Sequence, residues 1–389
     1  MNKKRIMGFS ICLITILFTS CAKDNSLKLS DQNPDLVGTT VIPEVPVTKD
    51  YVVGAFYYNF TSWNTRVTKV PVALPYFSDN TGTGTAIWKG VPTNVMQQHI
   101  LQANAGKLDF FIFSFRSLMD VNNNKSDTSL IKSFLLAPNA NDMKFAISYE
   151  LSTATLGGIS TTTALETKQT QLKGFLKDFI SIGRFFKYSN YMKVGDKYLV
   201  YIHNAHQLYA NDNAALYKRM RDTVELTYGV KLYIVASQPN NSTSIGTPPA
   251  RFISRFQNGV DAVWLDRPLR SLSNSLGWSI YWQYCPWANT YFKYCKDYYK
   301  NYNINYQPSL MPAYDPRINN ATSTNPFFGR ADTASFFKKM CNVAKLNVDS
   351  TRIVVIDSWN NWIEDSQLEP SLSDSTLYLS TLRKEFKVN

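Results

Sequence analysis

From residue 51 onward the chain alternates short apolar runs with longer amphipathic stretches. The runs predict strands over Val52–Tyr58, Leu108–Phe115, Lys144–Tyr149, Tyr198–His203, Lys231–Ala236, Gly259–Leu265, Gln307–Met311 and Thr351–Ser358. Several are apolar at consecutive positions, as strands covered on both faces of a parallel sheet must be. Ile353-Val354-Val355-Ile356 is the clearest case. Between the runs the period becomes helical. Leu172, Phe175, Leu176, Phe179 and Ile180 form an i, i+3, i+4, i+7, i+8 stripe. Met96, Ile100 and Ala103 mark a second helix, and a third runs from Asp332 as N-cap through Phe336, Met340 and Ala344. A last helix is expected over about Ser375–Phe386. Eight strands, each followed by a helix or a long loop, predict an α/β protein with a (β/α)8 TIM barrel, one domain over residues 51–389. An open doubly wound sheet is the alternative, but no GxGxxG or phosphate loop marks a switch point.

The N-terminus has a different pattern. Lys3, Lys4 and Arg5 precede an apolar run from Ile6 to Phe18 that ends at Thr19-Ser20-Cys21. A charged start, a short apolar core and small residues at its end form a secretory signal, too short to cross a bilayer. A Cys directly after it resembles a bacterial lipobox, although Phe18 stands where Leu is usual. The expectation is a signal over 1–20, lipidation at Cys21 and a polar, Pro-bearing tether over 21–50. Anchoring through lipid on the cell envelope follows.

Composition narrows the chemistry. The formal charge is +12, of which Lys3, Lys4 and Arg5 leave with the signal to give +9. The remaining basic residues are scattered, so no nucleic-acid footprint is expected. A mildly basic surface suits acidic glycans or an anionic membrane face. Besides Cys21 the mature chain keeps Cys285, Cys295 and Cys341, too few for a disulfide framework and without a CxxC pair for zinc. His203 and His206 have an HxxH spacing but no acidic third ligand beside them, so neither a metal nor a cofactor is expected.

In a TIM barrel catalytic groups come from the ends of the strands, and here those ends carry unusual residues. Tyr57, Tyr58 and Trp63 follow the first strand, Glu150 the third, His203 the fourth and Asp266 the sixth. Tyr314, Asp315 and Arg317 lie in the long loop after the seventh, where an Asp–Arg brace is the plainer reading. After the eighth, Trp359, Asn360, Asn361, Trp362 and Glu364 are crowded together. Trp beside Asn and carboxylate suits a sugar, whose C–H faces stack on the ring while hydroxyls bond the polar groups. The plainer reading has the two Trp closing the barrel and Glu364 paired with Arg317 or Arg267.

Five segments resemble, in order, the family 71/99-like glycoside hydrolases. They are Gly54-Ala55-Phe56-Tyr57-Tyr58, Ala103 to Phe110, Lys193 to Tyr198, Pro312 to Arg317 and Trp359 to Pro370. The resemblance extends from about Val52 to Pro370 and is closest to the family 99 endo-α-mannosidases, with WbsX-type glycan-synthesis proteins sharing much of the pattern. It implies a barrel that cleaves glycosidic bonds with retention. It also implies Glu364 as general acid/base, at the second Glu of the family's last-strand motif. The motif's first Glu, which takes the proton of the sugar 2-hydroxyl, falls on Asn361; its His falls on Ile363 and its Gly on Asp365.

Asn361 changes the chemistry. A carboxamide holds a hydroxyl by hydrogen bonds but accepts no proton at neutral pH. Loss of a general base costs roughly 10²–10⁴-fold. Either another carboxylate replaces it (Glu150, Asp266 and Asp315 are placed for this) or the chain binds glycans without cleaving them efficiently, with a protein of glycan synthesis as the further alternative. Oligo- or polysaccharide is the expected partner, with His203 as a hydrogen-bonding group, and the protein is expected to be a monomer.

Overall fold

The computed structural model describes residues 41–59, 93–151, 162–239, 249–270 and 284–388, apart from positions 319, 325, 331, 332, 372 and 373. Eight parallel strands form the centre: β1 (Val52–Tyr57), β2 (Phe110–Arg116), β3 (Lys144–Glu150), β4 (Lys197–His203), β5 (Leu232–Pro239), β6 (Ala262–Asp266), β7 and β8 (Ile353–Ile356). Strand β7 comes in two halves, Asn305–Gln307 and Ser309–Leu310, on either side of Pro308. The first half pairs with β6 and the second with β8, which pairs with β1, so the sheet closes on itself. Proline has no N–H to donate to a ladder, and the change of partner falls at that residue. The (β/α)8 barrel predicted from the runs is therefore the fold. Strand ends agree with the expected ranges to within a few residues.

Seven helices of eight or more residues surround the described part of the barrel: α1 (Thr93–Ala105), α2 (Val121–Leu135), α3 (Gln169–Gly183), α4 (Asn213–Tyr228), α5 (Tyr284–Lys300), α6 (Ser335–Asn347) and α7 (Leu377–Phe386). Helix α4 is closed at both ends by its sequence. Asp212 accepts from the Ala215 N–H at 2.9 Å, and Gly229 takes φ +67° at the C-terminal end. The stripe expected on α3 is Leu172, Phe175 and Phe179 in the core, with Leu176 and Ile180 half-buried. Asp332, the expected cap of α6, lies outside the described residues.

Strand alternation divides the core into two layers. On β2, Phe111, Phe113 and Phe115 face the helices, while Phe110 and Ile112 face the barrel axis with Phe56, Ala146, Leu199, Tyr201, Val235, Trp264 and Val355. Gly54 makes room for this inner layer. A Cβ there would lie 2.2 Å from the Phe110 ring, which fills the axis in its place.

The start of the domain differs from expectation. Residues 41–50, read as the end of the tether, lie against α6 and α7. The Val45 N–H donates to Asn342 at 2.7 Å, and Lys345, itself paired with Glu385 at 2.8 Å, donates to the Val45 carbonyl at 2.7 Å. Ile42 and Val47 pack on the core. The buried Lys345 ammonium needs that carbonyl, so the globular unit includes at least residues 41–50.

Candidate active site at the barrel mouth

The inward register positions turn polar toward the C-terminal ends of the strands. Glu150 ends β3, His203 ends β4 and Asp266 ends β6, and the register places Glu150 beside both Arg116 and His203. His203 joins two carboxylates: its Nδ1 is 2.5 Å from Glu150 Oε2 and its Nε2 is 3.0 Å from Asp266 Oδ1. Burial would lower the pKa of His203, but the Asp266 and Glu150 carboxylates outweigh it and raise it to about 10. The ring is thus an imidazolium, hydrogen-bonded to Glu150 through Nδ1 and ion-paired with Asp266 through Nε2. Burial likewise opposes ionisation of Glu150 and Asp266, yet the His203 charge, joined at Asp266 by Arg267, lowers both. Ser114 donates to the other Glu150 oxygen at 3.0 Å. Arg116, at the end of β2, is held by buried Asp127 at 2.8 Å.

The eighth strand supplies a second group of side chains. Asp357 follows Ile353 and Val355 on the inward face, and the Tyr58 hydroxyl donates to both its oxygens at 3.0 and 3.1 Å. Burial raises the Asp357 pKa and Arg267 lowers it; Asp266 and Glu364 raise it further, to about 7. Glu364, in a short 3-10 turn over Trp362–Glu364, has both oxygens engaged. Oε1 lies 3.0 Å from Arg270 Nη1, and Oε2 accepts from Asn361 Nδ2 at 2.7 Å. The Glu364 carbonyl also accepts from the Asp315 N–H at 2.8 Å. Asn361 Oδ1 is buried without a hydrogen-bond partner among the described residues.

The other expected site residues divide clearly by position. Tyr58, Glu150, His203, Asp266, Asn361 and Glu364 come together at the mouth, beside Tyr314, whose pKa is raised to about 12 by burial and by Glu364. The cation on Glu364 is Arg270, neither Arg317 nor Arg267. Asp315 and Arg317 hold each other, with the guanidinium 3.5 Å from the centre of the Phe327 ring, so this pair braces the loop. Asn360 lies at the rim but is spent on the backbone. Its side chain accepts from the Tyr58 N–H at 2.8 Å and donates to the Tyr58 carbonyl at 2.9 Å, tying β1 to the chain after β8.

Three aromatic residues expected to meet sugar are displaced from the mouth. Trp359 is fully buried against Phe111 and His99, between barrel and helices. Trp362 is 1% exposed, and its indole N–H donates to Glu369 at 2.7 Å. Tyr57 points outward on β1 and bonds His99 Nδ1 at 2.7 Å, while His99 Nε2 lies 3.2 Å from Glu369. Neither indole offers a face to a ligand; both fill the core below a buried polar chain that fixes the last-strand loop. Trp63 lies outside the described residues.

Asp357, Arg267, Arg270 and Arg116 belong to the mouth and were not singled out as site residues from the sequence. Asp357 had a usable signal, since period-two counting from Ile353 and Val355 places it on the inward face. Among the described residues no cluster of three or more His, Cys, Asp or Glu side chains is arranged for a metal ion.

Comparisons with known proteins fit this geometry. A solved "Glycoside hydrolase-like protein" shares 26% identity over 92% of this chain and 100% of its own, with a TM-score of 0.75. The GH99 endo-alpha-mannosidase from Bacteroides thetaiotaomicron is similar in fold, at 13% identity, 87% and 97% coverage and a TM-score of 0.55. No curated protein matches the chain. The family described as Glycosyltransferase WbsX matches residues 152–382, more than half of the chain, and the chain belongs to that family.

Proposed function

We propose that this protein cleaves glycosidic bonds of an oligo- or polysaccharide at the C-terminal mouth of the barrel, as a lipid-anchored envelope protein. One observation carries the reading: two buried carboxylates at the mouth, Asp357 and Glu364, stand in opposite environments, one on a phenol and the other on a guanidinium and an amide. Glycoside hydrolysis needs a pair of that kind, one carboxyl bearing a proton and one charged. The likeness to a glycoside hydrolase-like protein supports the same substrate class, and the likeness to an endo-alpha-mannosidase supports an internal α-mannoside as the bond.

Asn361 favours one competing reading, a protein that binds glycans without cleaving them. The full chain incubated with a panel of α-mannosides and other bacterial and host glycans separates the two. New reducing ends, read by chromatography, are expected from at least one glycan. Binding without release supports the competing reading, and absence of both overturns the proposal. Cys21→Ser is expected to release the protein from membranes into the soluble fraction; retention on the membrane overturns the lipid anchor. Among the described residues no helix is long and apolar enough to cross a bilayer.

A further inference from the structure

The base expected at Asn361 has three candidate replacements, and their partners restrict each of them. Glu150 and Asp266 share the His203 imidazolium. Asp315 is held on two sides by Arg317. Glu364 is held by Arg270 and Asn361. Each of these carboxylates lies against a cation. Asp357 is the exception. It is 2% exposed, on the inward face of the last strand, and no cation among the described residues forms an ion pair with it. Its hydrogen-bond donor is a neutral phenol, Tyr58. Asp266 and Glu364 oppose its charge and Arg267 favours it.

We propose that Asp357 is a catalytic residue, the proton-bearing carboxylate of the mouth, and that Glu364 is its charged partner. This assignment rests on the glycosidase reading above and departs from the family resemblance, which makes Glu364 the acid. Asp357 gives its proton to the glycosidic oxygen as the bond from that oxygen to the anomeric carbon breaks, and the electron pair stays on the oxygen. Glu364 takes the proton of the attacking hydroxyl as that oxygen bonds the anomeric carbon. Where water attacks, solvent then returns a proton to Asp357 and removes one from Glu364. Where the sugar's own hydroxyl attacks, water then adds to the anomeric carbon as the anhydro ring opens, giving its proton to Asp357 while Glu364 returns its proton to the released sugar oxygen. Asn361 thus holds the partner carboxylate in place. The burial that raises the Asp357 pKa to about 7 keeps a proton available at neutral pH.

The test is Asp357→Asn in the full chain, assayed on a glycan that the wild type cleaves and on the 2,4-dinitrophenyl glycoside of the same sugar. Dinitrophenolate leaves without protonation, whereas a sugar hydroxyl does not. The variant is expected to lose about 10²–10⁴-fold on the glycan, at least about tenfold less on the dinitrophenyl glycoside, and the alkaline limb of kcat/KM near pH 7. Equal losses on both substrates, or a limb that persists, overturn the assignment. The anomer formed first, read by NMR, separates attack by water (inversion) from attack by the sugar's own hydroxyl (retention). A second measurement does not depend on turnover. With ¹³C-carboxyl-labelled aspartate, Asp357 and Asp127 are expected to titrate at about pH 7 and Asp365 at about pH 6 in the wild type. The Asp357 resonance is the one missing from the variant, and a wild type in which that resonance does not titrate near pH 7 overturns the assignment even if no glycan is cleaved. A wild type that cleaves nothing yet shows that resonance overturns the glycosidase reading and the catalytic role with it, and leaves Asp357 as a proton-bearing carboxyl of the mouth.

Discussion

His203→Gln is expected to destabilise the protein by about 3–5 kcal/mol, a fall of about 4–7 °C in melting temperature for a domain of this size. The imidazolium lies between two half-buried carboxylates at 2.5 and 3.0 Å. Glutamine can donate to one of them and leaves the other charge facing its neighbour without compensation, the costly way of breaking a buried pair. The pH dependence has a definite sign. The folded-state pKa of His203, about 10, lies above its unfolded value, so its stabilisation is complete below about pH 6.5 and is lost as pH rises toward 10. Melting temperatures of wild type and variant should therefore differ most below about pH 6.5 and converge above pH 10. A constant difference across that range would assign the loss to packing instead of charge.

Glu364→Gln is expected to lower turnover of a cleaved glycan by about 10²–10⁴-fold while changing its affinity little, since a proton-transfer group acts mainly in the transition state. Glutamine can keep an oxygen toward either Arg270 or Asn361, so the turn over Trp362–Glu364 should survive the exchange. Because the charged partner is lost, the activated dinitrophenyl glycoside should suffer as much as the glycan. Here Glu364→Gln should part from Asp357→Asn. Steady-state kinetics on the two substrates with both variants checks this. Full activity in Glu364→Gln would show that the last-strand turn has no part in the chemistry.

The barrel was legible because its strands are buried on both faces and read as unbroken apolar runs, as in Phe110-Phe111-Ile112-Phe113 and Ile353-Val354-Val355-Ile356. The site was legible in part. Residues at the last inward position of a strand, Glu150, His203 and Asp266, could be found by counting. Trp359 could not be assigned a side because its neighbours lie more than two hundred positions away, and Trp362 because Glu369, which takes its N–H, is itself placed by such a residue, His99. Phe111 and His99 cover the first indole, and Glu369, linked through His99 to Tyr57, anchors the second. An indole beside Asn and Glu reads as a sugar platform until those contacts are known. Partner choice was equally hidden. Sequence offered Arg317 and Arg267 to Glu364, but Arg317 is used by Asp315 and Arg267 by Asp266, and Arg270 takes the role. Asp357 was passed over because it ends the most apolar strand, which is also why its proton is held.

The most direct measurement is a crystal structure of Glu364→Gln soaked with an oligosaccharide that the wild type cleaves. The expected result places a glycosidic oxygen within hydrogen-bond reach of Asp357, with the side chain at 364 near the anomeric carbon and Tyr58 still on the Asp357 carboxylate. An oligosaccharide bound elsewhere on the molecule, or one whose scissile bond lies out of reach of both residues, would contradict the placement of the chemistry at the barrel mouth.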